Sequence, residues 1–274
     1  MKRPPFTFMG AYSTAAGIPK QGNILFVYEK PDVYGAGSPP YNWNENLDYG
    51  LGHTTASLYN GAALNGSGAS ANVRWDNATG ADNKAIRIET TSDMDIQSFA
   101  IVFNTPFAHP GTGNQRNYFW DMRKANTESP DNGGFFNQFD GVAGGSTQIY
   151  ANGEYWSYDE SDGFVSGSFT TNSTNLAGGG SQNEGGTQTS AWLGPNGRTI
   201  YTTKRLWLFN FNDVTPRPVA LTTSATKGIV IGNNDNQSEG ASMGVYAMLA
   251  WDTVLDSSDM TALVDYFVGE GVLS

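Results

Sequence analysis

Cysteine is absent from the 274-residue chain, which excludes disulfide bonds, thiolate metal sites and cysteine nucleophiles. Histidine is scarce, since only His53 and His109 are present. Serine hydrolases need an oriented base, and neither histidine lies beside a nucleophile elbow. We expect both to be loop histidines, and their wide separation in the sequence gives no support to a zinc site.

Positive charge is also in short supply. The chain has 15 Lys and Arg against 26 Asp and Glu, which gives a formal net charge of -11. Because proteins that bind nucleic acids need basic patches for the phosphate backbone, the charge balance argues against a nucleic-acid partner. The charged fraction of 15% is below the roughly 25% of typical soluble domains.

Long apolar runs are missing too. No stretch reaches the roughly 18 residues of a membrane-spanning helix, and no run after Met1 has the length of a signal peptide's apolar core. The sequence therefore predicts a protein that is made in a cytoplasm and is not inserted into a membrane.

What the chain does contain is 34 Gly, with much Asn, Ser and Thr, the residues that form turns. Between the turns lie short segments rich in β-branched and aromatic residues. The clearest are 24–28, 85–88, 99–103, 118–120, 148–150, 206–209, 228–231 and 245–251. No helical run separates them, so we predict an all-β, two-sheet antiparallel sandwich of jelly-roll type, with 245–251 as a central strand covered on both faces.

One helix is predicted, near the C-terminus. Asp256 can cap it, and apolar residues then recur at helical spacing, at Met260, Leu263, Val264 and Phe267, before Gly269 ends the pattern. The chain is divided into a proline-containing N-terminal arm with one strand (1–56), packed on the sandwich or extending from it, and the sandwich itself (57–274).

The C-terminal third resembles a known family. Residues 228–233 form a strand ending in Ile-Gly-Asn, 244–252 a strand ending in Trp-Asp, and the capped helix follows. With 97–103 and the Tyr-x-Asn-Gly-Glu hairpin of 147–156, this pattern resembles the laminin-G-like, concanavalin A-like lectin/glucanase sandwich. The resemblance implies the jelly-roll fold but leaves function open, since lectins, glycosidases, adhesion modules and phage structural proteins share it.

An enzymatic function is not predicted. The related glucanases place their carboxylates as Glu-x-Asp-x-x-Glu, and that string is absent. The nearest acidic cluster has other spacing and is interpreted as a solvated loop: Glu154, Asp159, Glu160 and Asp162.

Calcium is the one cofactor that the sequence makes plausible, because laminin-G-like domains often hold it at one edge. Candidate oxygen ligands are Asn233, Asn234 and Asp235, followed by Asn236, or alternatively Asp93 and Asp95. The competing interpretation is that these side chains stabilise turns through bonds to the backbone.

Carbohydrate contact is predicted where aromatic side chains alternate with polar ones. One such segment contains Tyr155, Trp156, Tyr158 and Asp159, and a second contains Tyr41 and Trp43. Alternation along a strand could equally place Trp156 and Tyr158 in the core or at a subunit contact.

The first functional hypothesis is a non-enzymatic virion protein, capsid-decorating or tail-associated, located in the virion. Its partners would be other virion subunits, including copies of itself, and glycans on the host surface. The alternative is a secreted carbohydrate-binding module or lectin, and a glycoside hydrolase is a distant third.

Overall fold

The computed structural model describes residues 17–36, 42–77, 84–90, 92–106, 116–122, 134–139, 147–150, 153–160, 163–169, 201–211, 227–233 and 240–274. These residues form two eight-stranded sheets. The first sheet contains β1 (Ile24–Tyr28), β5 (Ala63–Asn65), β6 (Asn72–Trp75), β8 (Ser98–Thr105), β12 (Gly153–Asp159), β13 (Gly163–Phe169), β14 (Tyr201–Asn210) and β16 (Met243–Trp251). The second contains β2 (Gly35–Ala36), β3 (Asn42–Trp43), β4 (Thr54–Tyr59), β7 (Ala85–Thr90), β9 (Arg116–Asp121), β10 (Gly134–Phe139), β11 (Thr147–Tyr150) and β15 (Lys227–Ile231).

The strand order in the first sheet is β13-β12-β14-β8-β16-β6-β5, with β1 also paired to β16, and in the second β11-β10-β9-β15-β7-β4-β3-β2. The strands pair in antiparallel fashion. The predicted all-β sandwich is therefore confirmed, as are the eight strand-like segments. A one-turn helix α1 (Pro31–Tyr34) accompanies the predicted C-terminal helix α2 (Ser257–Gly269).

The interior between the sheets is filled by large aromatic side chains. Trp120 of β9 lies 4.5 Å from Phe209 of β14 and 5.6 Å from Phe99 of β8, measured between ring centroids. A β-bulge in β9 shifts the register with β10 between Tyr118 and Trp120, so that Phe119 and Trp120 both join the core. Aromatic pairs in such edge-to-face contacts stabilise the core beyond their buried area.

Helix α2 covers the outer face of the first sheet. Asp256 accepts hydrogen bonds from the amides of Ser258 and Asp259, and the side chain of Asp259 bonds back to the amide of Asp256. The apolar face of α2 then joins a second core with side chains of β8, β14 and β16, among them Val102, Leu206 and Leu249. All nine residues of β16 are buried, which confirms that this strand is covered on both faces.

The described part of the predicted N-terminal arm belongs to the sandwich. β1 pairs with β16, and β2 and β3 extend the second sheet. The boundary placed after residue 56 falls inside β4, because the hydrogen-bonded ladder with β7 runs from Thr54 to Tyr59 without a break. In the described ranges, no helix combines the length and the apolar character needed to cross a membrane.

Candidate functional site

The outer face of the first sheet has two ends of different character. One end lies under α2 and is apolar. At the other, which we call the polar end, the outward positions carry Asn72, Arg74, Asn104, Lys204 and Tyr246, because their strand neighbours Val73, Phe103 and Val245 point into the interior core. A bulge in β16 between Val245 and Ala247 turns Tyr246 to this face.

A cavity of about 180 Å³ opens at the polar end. It lies between α1, the loop before β6, the ring of Tyr246 and the residues that follow α2. Apolar side chains supply part of its wall, namely Val33, Ala69, Ala71 and Val272. Three charged residues complete the lining: Lys30, Asp32 and Glu270.

Tyr246 is held in place by two neighbours. Asn104 Nδ2 donates a hydrogen bond to the phenol oxygen at 3.1 Å, and Lys204 Nζ lies 4.9 Å from the ring centroid. Burial, with a smaller contribution from Glu160, raises the pKa of Tyr246, so the phenol stays neutral near pH 7. Burial lowers the pKa of Lys204, whose ammonium donates to the carbonyl oxygens of Val272 at 2.6 Å and Ala69 at 3.2 Å.

Asp32 provides the one carboxylate oxygen of the lining that is both buried and without a hydrogen-bond donor. Its Oδ2 accepts a bond from the amide of Gly68 at 2.6 Å, whereas Oδ1 has no partner. A buried acceptor without a donor costs roughly 1–3 kcal/mol, and this one belongs to a carboxylate that lines the cavity.

Lys30 and Glu270 form an ion pair on the same wall, with Nζ and Oε2 2.6 Å apart. Burial of Lys30 opposes its charge, but the hydrogen bond to Glu270 and the nearby charges of Glu29 and Glu270 together raise the pKa of Lys30. Both side chains are about a third exposed, so this contact is worth little stability. Its effect on the cavity is that the ammonium of Lys30 already has a carboxylate partner.

The β12 residues predicted to contact carbohydrate are split between two faces. Trp156 and Tyr158 point outward and pack, half-buried, against the core under α2. Asp159 points inward and forms an ion pair of 2.5 Å with Arg205, each side chain being 1% exposed. The side chain of Tyr155 lies outside the described residues. Asp159 is therefore corrected from a surface ligand to a buried structural partner.

The second predicted aromatic segment is also corrected. Trp43 is 1% exposed, donates its indole N–H to the carbonyl oxygen of Glu29 at 3.0 Å and packs edge-on against Tyr28. Its ring is part of the core and offers no face to a ligand. Tyr41 lies outside the described residues.

Of the predicted calcium ligands, Asn233 is fully buried, and Asn234 and Asp235 lie outside the described residues. Near Asn233, three backbone carbonyl oxygens accept hydrogen bonds from the single amide nitrogen of Asn77. Within the described parts of the chain, no cluster of three or more acidic or histidine side chains could hold a metal ion. Calcium binding stays a prediction.

The cavity itself was not found from the sequence. Asp32, Tyr246 and Glu270 lie far apart along the chain and meet only because β1 and α2 flank the same strand, β16. Asp32 follows Pro31 in a one-turn helix, and a Pro-Asp pair is an ordinary turn signal. Glu160, interpreted as part of a solvated loop, does act on this region, because its charge favours higher pKa values for Lys204 and Tyr246.

Comparisons with known proteins give no family. No protein-family model matches the chain, and no curated protein matches it. Among solved structures it is similar to the sialidase of Trypanosoma rangeli, at 7% identity and a TM-score of 0.42 over 94% of this chain and 34% of that chain. The complex of that sialidase with sialic acid (7% identity, TM-score 0.40, 94% and 35%) and the complex with the inhibitor DANA (7%, 0.41, 90% and 33%) give similar values.

The chain spans about a third of the length of these sialidases. The matched proteins are enzymes, and this finding contradicts the prediction that the protein is not an enzyme, which is withdrawn. TM-scores below 0.5 assign no activity to this chain. The sandwich of two antiparallel sheets fits a lectin-like domain.

Proposed function

We propose that the protein is a carbohydrate-binding β-sandwich domain and that the cavity at the polar end is its binding site. The observation that carries this proposal is the pairing of an aromatic and apolar wall with the buried, unpartnered Oδ1 of Asp32. A sugar ring has apolar C–H surfaces and hydroxyl donors, and it can use both kinds of wall at once.

A bound ligand would supply the hydrogen-bond donor that Asp32 Oδ1 lacks. A sugar hydroxyl can donate to Asp32 Oδ1, and hydrogen bonds to a charged acceptor are about twice as strong as neutral ones. The ring of Tyr246 is already fixed by Asn104 and Lys204, so little side-chain entropy is lost when a ligand packs beside it.

The test is a glycan array followed by titration calorimetry on the full chain. We expect binding of at least one glycan class, a loss of at least tenfold in affinity for Asp32→Ala, and no change for the control Asp265→Ala on the exposed surface of α2. The control Asp265→Ala should keep the melting temperature within about two degrees, since surface substitutions change stability little. Asp32→Ala also removes the acceptor of the Gly68 amide, so its affinity is measured well below its own melting temperature. A wild-type chain that binds no glycan, or equal affinities in the two variants, would overturn the proposal.

Two finer hypotheses place this activity in a biological setting. The sequence resemblance to concanavalin A-like domains supports a virion protein that adheres to host-surface glycans beside other virion subunits. The same resemblance supports a secreted lectin or carbohydrate-binding module. Peptide mass spectrometry of purified particles and of culture medium separates the two, because the virion hypothesis requires the protein in the particles.

A further inference from the structure

We propose, resting on the carbohydrate-binding function above, that the cavity selects a terminal sugar residue without an acidic group and discriminates against acidic sugars. The inference depends on which hydrogen-bonding groups of the cavity are already engaged and on the size of the cavity.

The cations around the cavity are engaged by other groups. Lys30 Nζ is paired with Glu270 at 2.6 Å, and Lys204 Nζ donates to the carbonyl oxygens of Val272 and Ala69. An ammonium has three N–H donors, so a carboxylate on an incoming sugar would share these cations with the partners that already hold them rather than meet an unpaired cation.

The lining residue that lacks a hydrogen-bond partner on one atom carries an acceptor, the carboxylate of Asp32. Asp32 Oδ1 is buried and has no donor, so its partner in a complex must donate a hydrogen. A hydroxyl can do so, whereas an ionised carboxylate cannot and would be repelled by Asp32. The net charge of -11 on the chain also disfavours the approach of anions.

The volume limits how much of a glycan can enter. Pockets for drug-sized ligands begin at roughly 300 Å³, and this cavity measures about 180 Å³. It therefore accommodates about one sugar ring, with the rest of the chain outside. Since α1 and the C-terminal residues close it on two sides, the ring that enters is the terminal one.

The experiment compares matched glycans by calorimetry: neutral oligosaccharides and the same oligosaccharides capped with a sialic acid. For the wild-type chain we expect at least tenfold tighter binding of the neutral member of each set. Equal or tighter binding of the acidic member would overturn the inference while leaving the proposed function intact. A wild-type chain that binds no member of any set removes both.

Asp32→Asn tests the hydrogen-bonding role of this carboxylate directly. The asparagine oxygen can keep the bond to the amide of Gly68, and its NH₂ then replaces an acceptor by a donor inside the cavity. Neutral sugars, whose hydroxyls also accept, should bind within about threefold of wild type, and the preference over acidic sugars should fall at least fivefold. In the control Lys30→Gln, which leaves Glu270 unpaired, the preference for neutral sugars should rise. An unchanged preference in Asp32→Asn, with an unchanged melting temperature, contradicts the proposed role of this oxygen.

Discussion

The two ends of one sheet face differ in what covers them. Under α2, Leu206, Leu249 and Phe267 are fully buried in a continuous apolar core. At the polar end the same strands present Asn104 and Tyr246, and a cavity takes the place of a helix. The covered end therefore stabilises the fold, and the polar end is where we propose that a ligand binds.

The polar groups of the two ends differ as well. Near the covered end, Glu29 is buried, but Oε1 accepts a bond from Asn46 and Oε2 one from Tyr266. At the polar end, one oxygen each of Asp32 and Asn72 is buried without a donor. Native proteins leave few such atoms unsatisfied, and under the proposed function a bound ligand would supply a donor at this end of the sheet.

The largest effect should come from removing a ring at the covered end. We expect Phe267→Ala to lower the free energy of unfolding by about 3–5 kcal/mol, through lost burial and the cavity left behind. The control Val268→Ala changes a side chain that is 43% exposed and should cost far less. Denaturant unfolding measures both variants. Similar losses of unfolding free energy in the two would contradict the distinction between covered and exposed positions.

A smaller loss is expected from Tyr266→Phe. The change removes the hydroxyl that donates to Glu29 at 2.7 Å and leaves a buried carboxylate oxygen unpaired, at a cost of about 1–3 kcal/mol. Burial, with the bond to Glu29 as a second cause, raises the pKa of Tyr266. In a Glu29→Ala background the same change should cost much less, and an undiminished cost would show that the two groups are not coupled.

Gly244→Ala tests the polar end. A Cβ added at Gly244 would clash with Asn104 Oδ1. It would displace the Asn104 side chain, whose Nδ2 donates a hydrogen bond to Tyr246. We expect a loss of about 1 kcal/mol and weaker glycan binding. The same change at Gly269, where no atom lies near the added Cβ, should be neutral or stabilising.

The smallest effect is expected at the cap of α2. Hydrogen bonds from Ser258 and the amide of Asp259 lower the pKa of Asp256. The carboxylate therefore contributes stability above the pKa of about 3.9 that it has in the unfolded chain, and this contribution is lost as pH falls through the lower folded-state pKa. Asp256→Asn keeps a capping oxygen but does not titrate. The difference in melting temperature between wild type and this variant should shrink from pH 6 to pH 3, and a constant difference would contradict the assignment.

The fold was predictable because its signals are local. Residues 245–251 are apolar on both faces, and the structure buries both faces of β16. Asp256 and the apolar spacing from Met260 to Phe267 predicted α2, and the structure shows the capping box. The binding segments were not predictable in the same way, because the alternation that suggested an exposed site around Trp156 also fits a strand packed on both faces.

The sequence by itself determined the eight strand segments that it predicted, the capped helix, the acidic charge and the absence of thiol chemistry, since each depends on residue type or on neighbours within a few positions. The tertiary structure alone decided that Trp43 and Asp159 are buried, and that Asp32, Tyr246 and Glu270 share a cavity. These outcomes depend on strand pairing, from Asp159 with Arg205 to Tyr28 with Met248, which is more than two hundred positions away, and no local pattern contains that register.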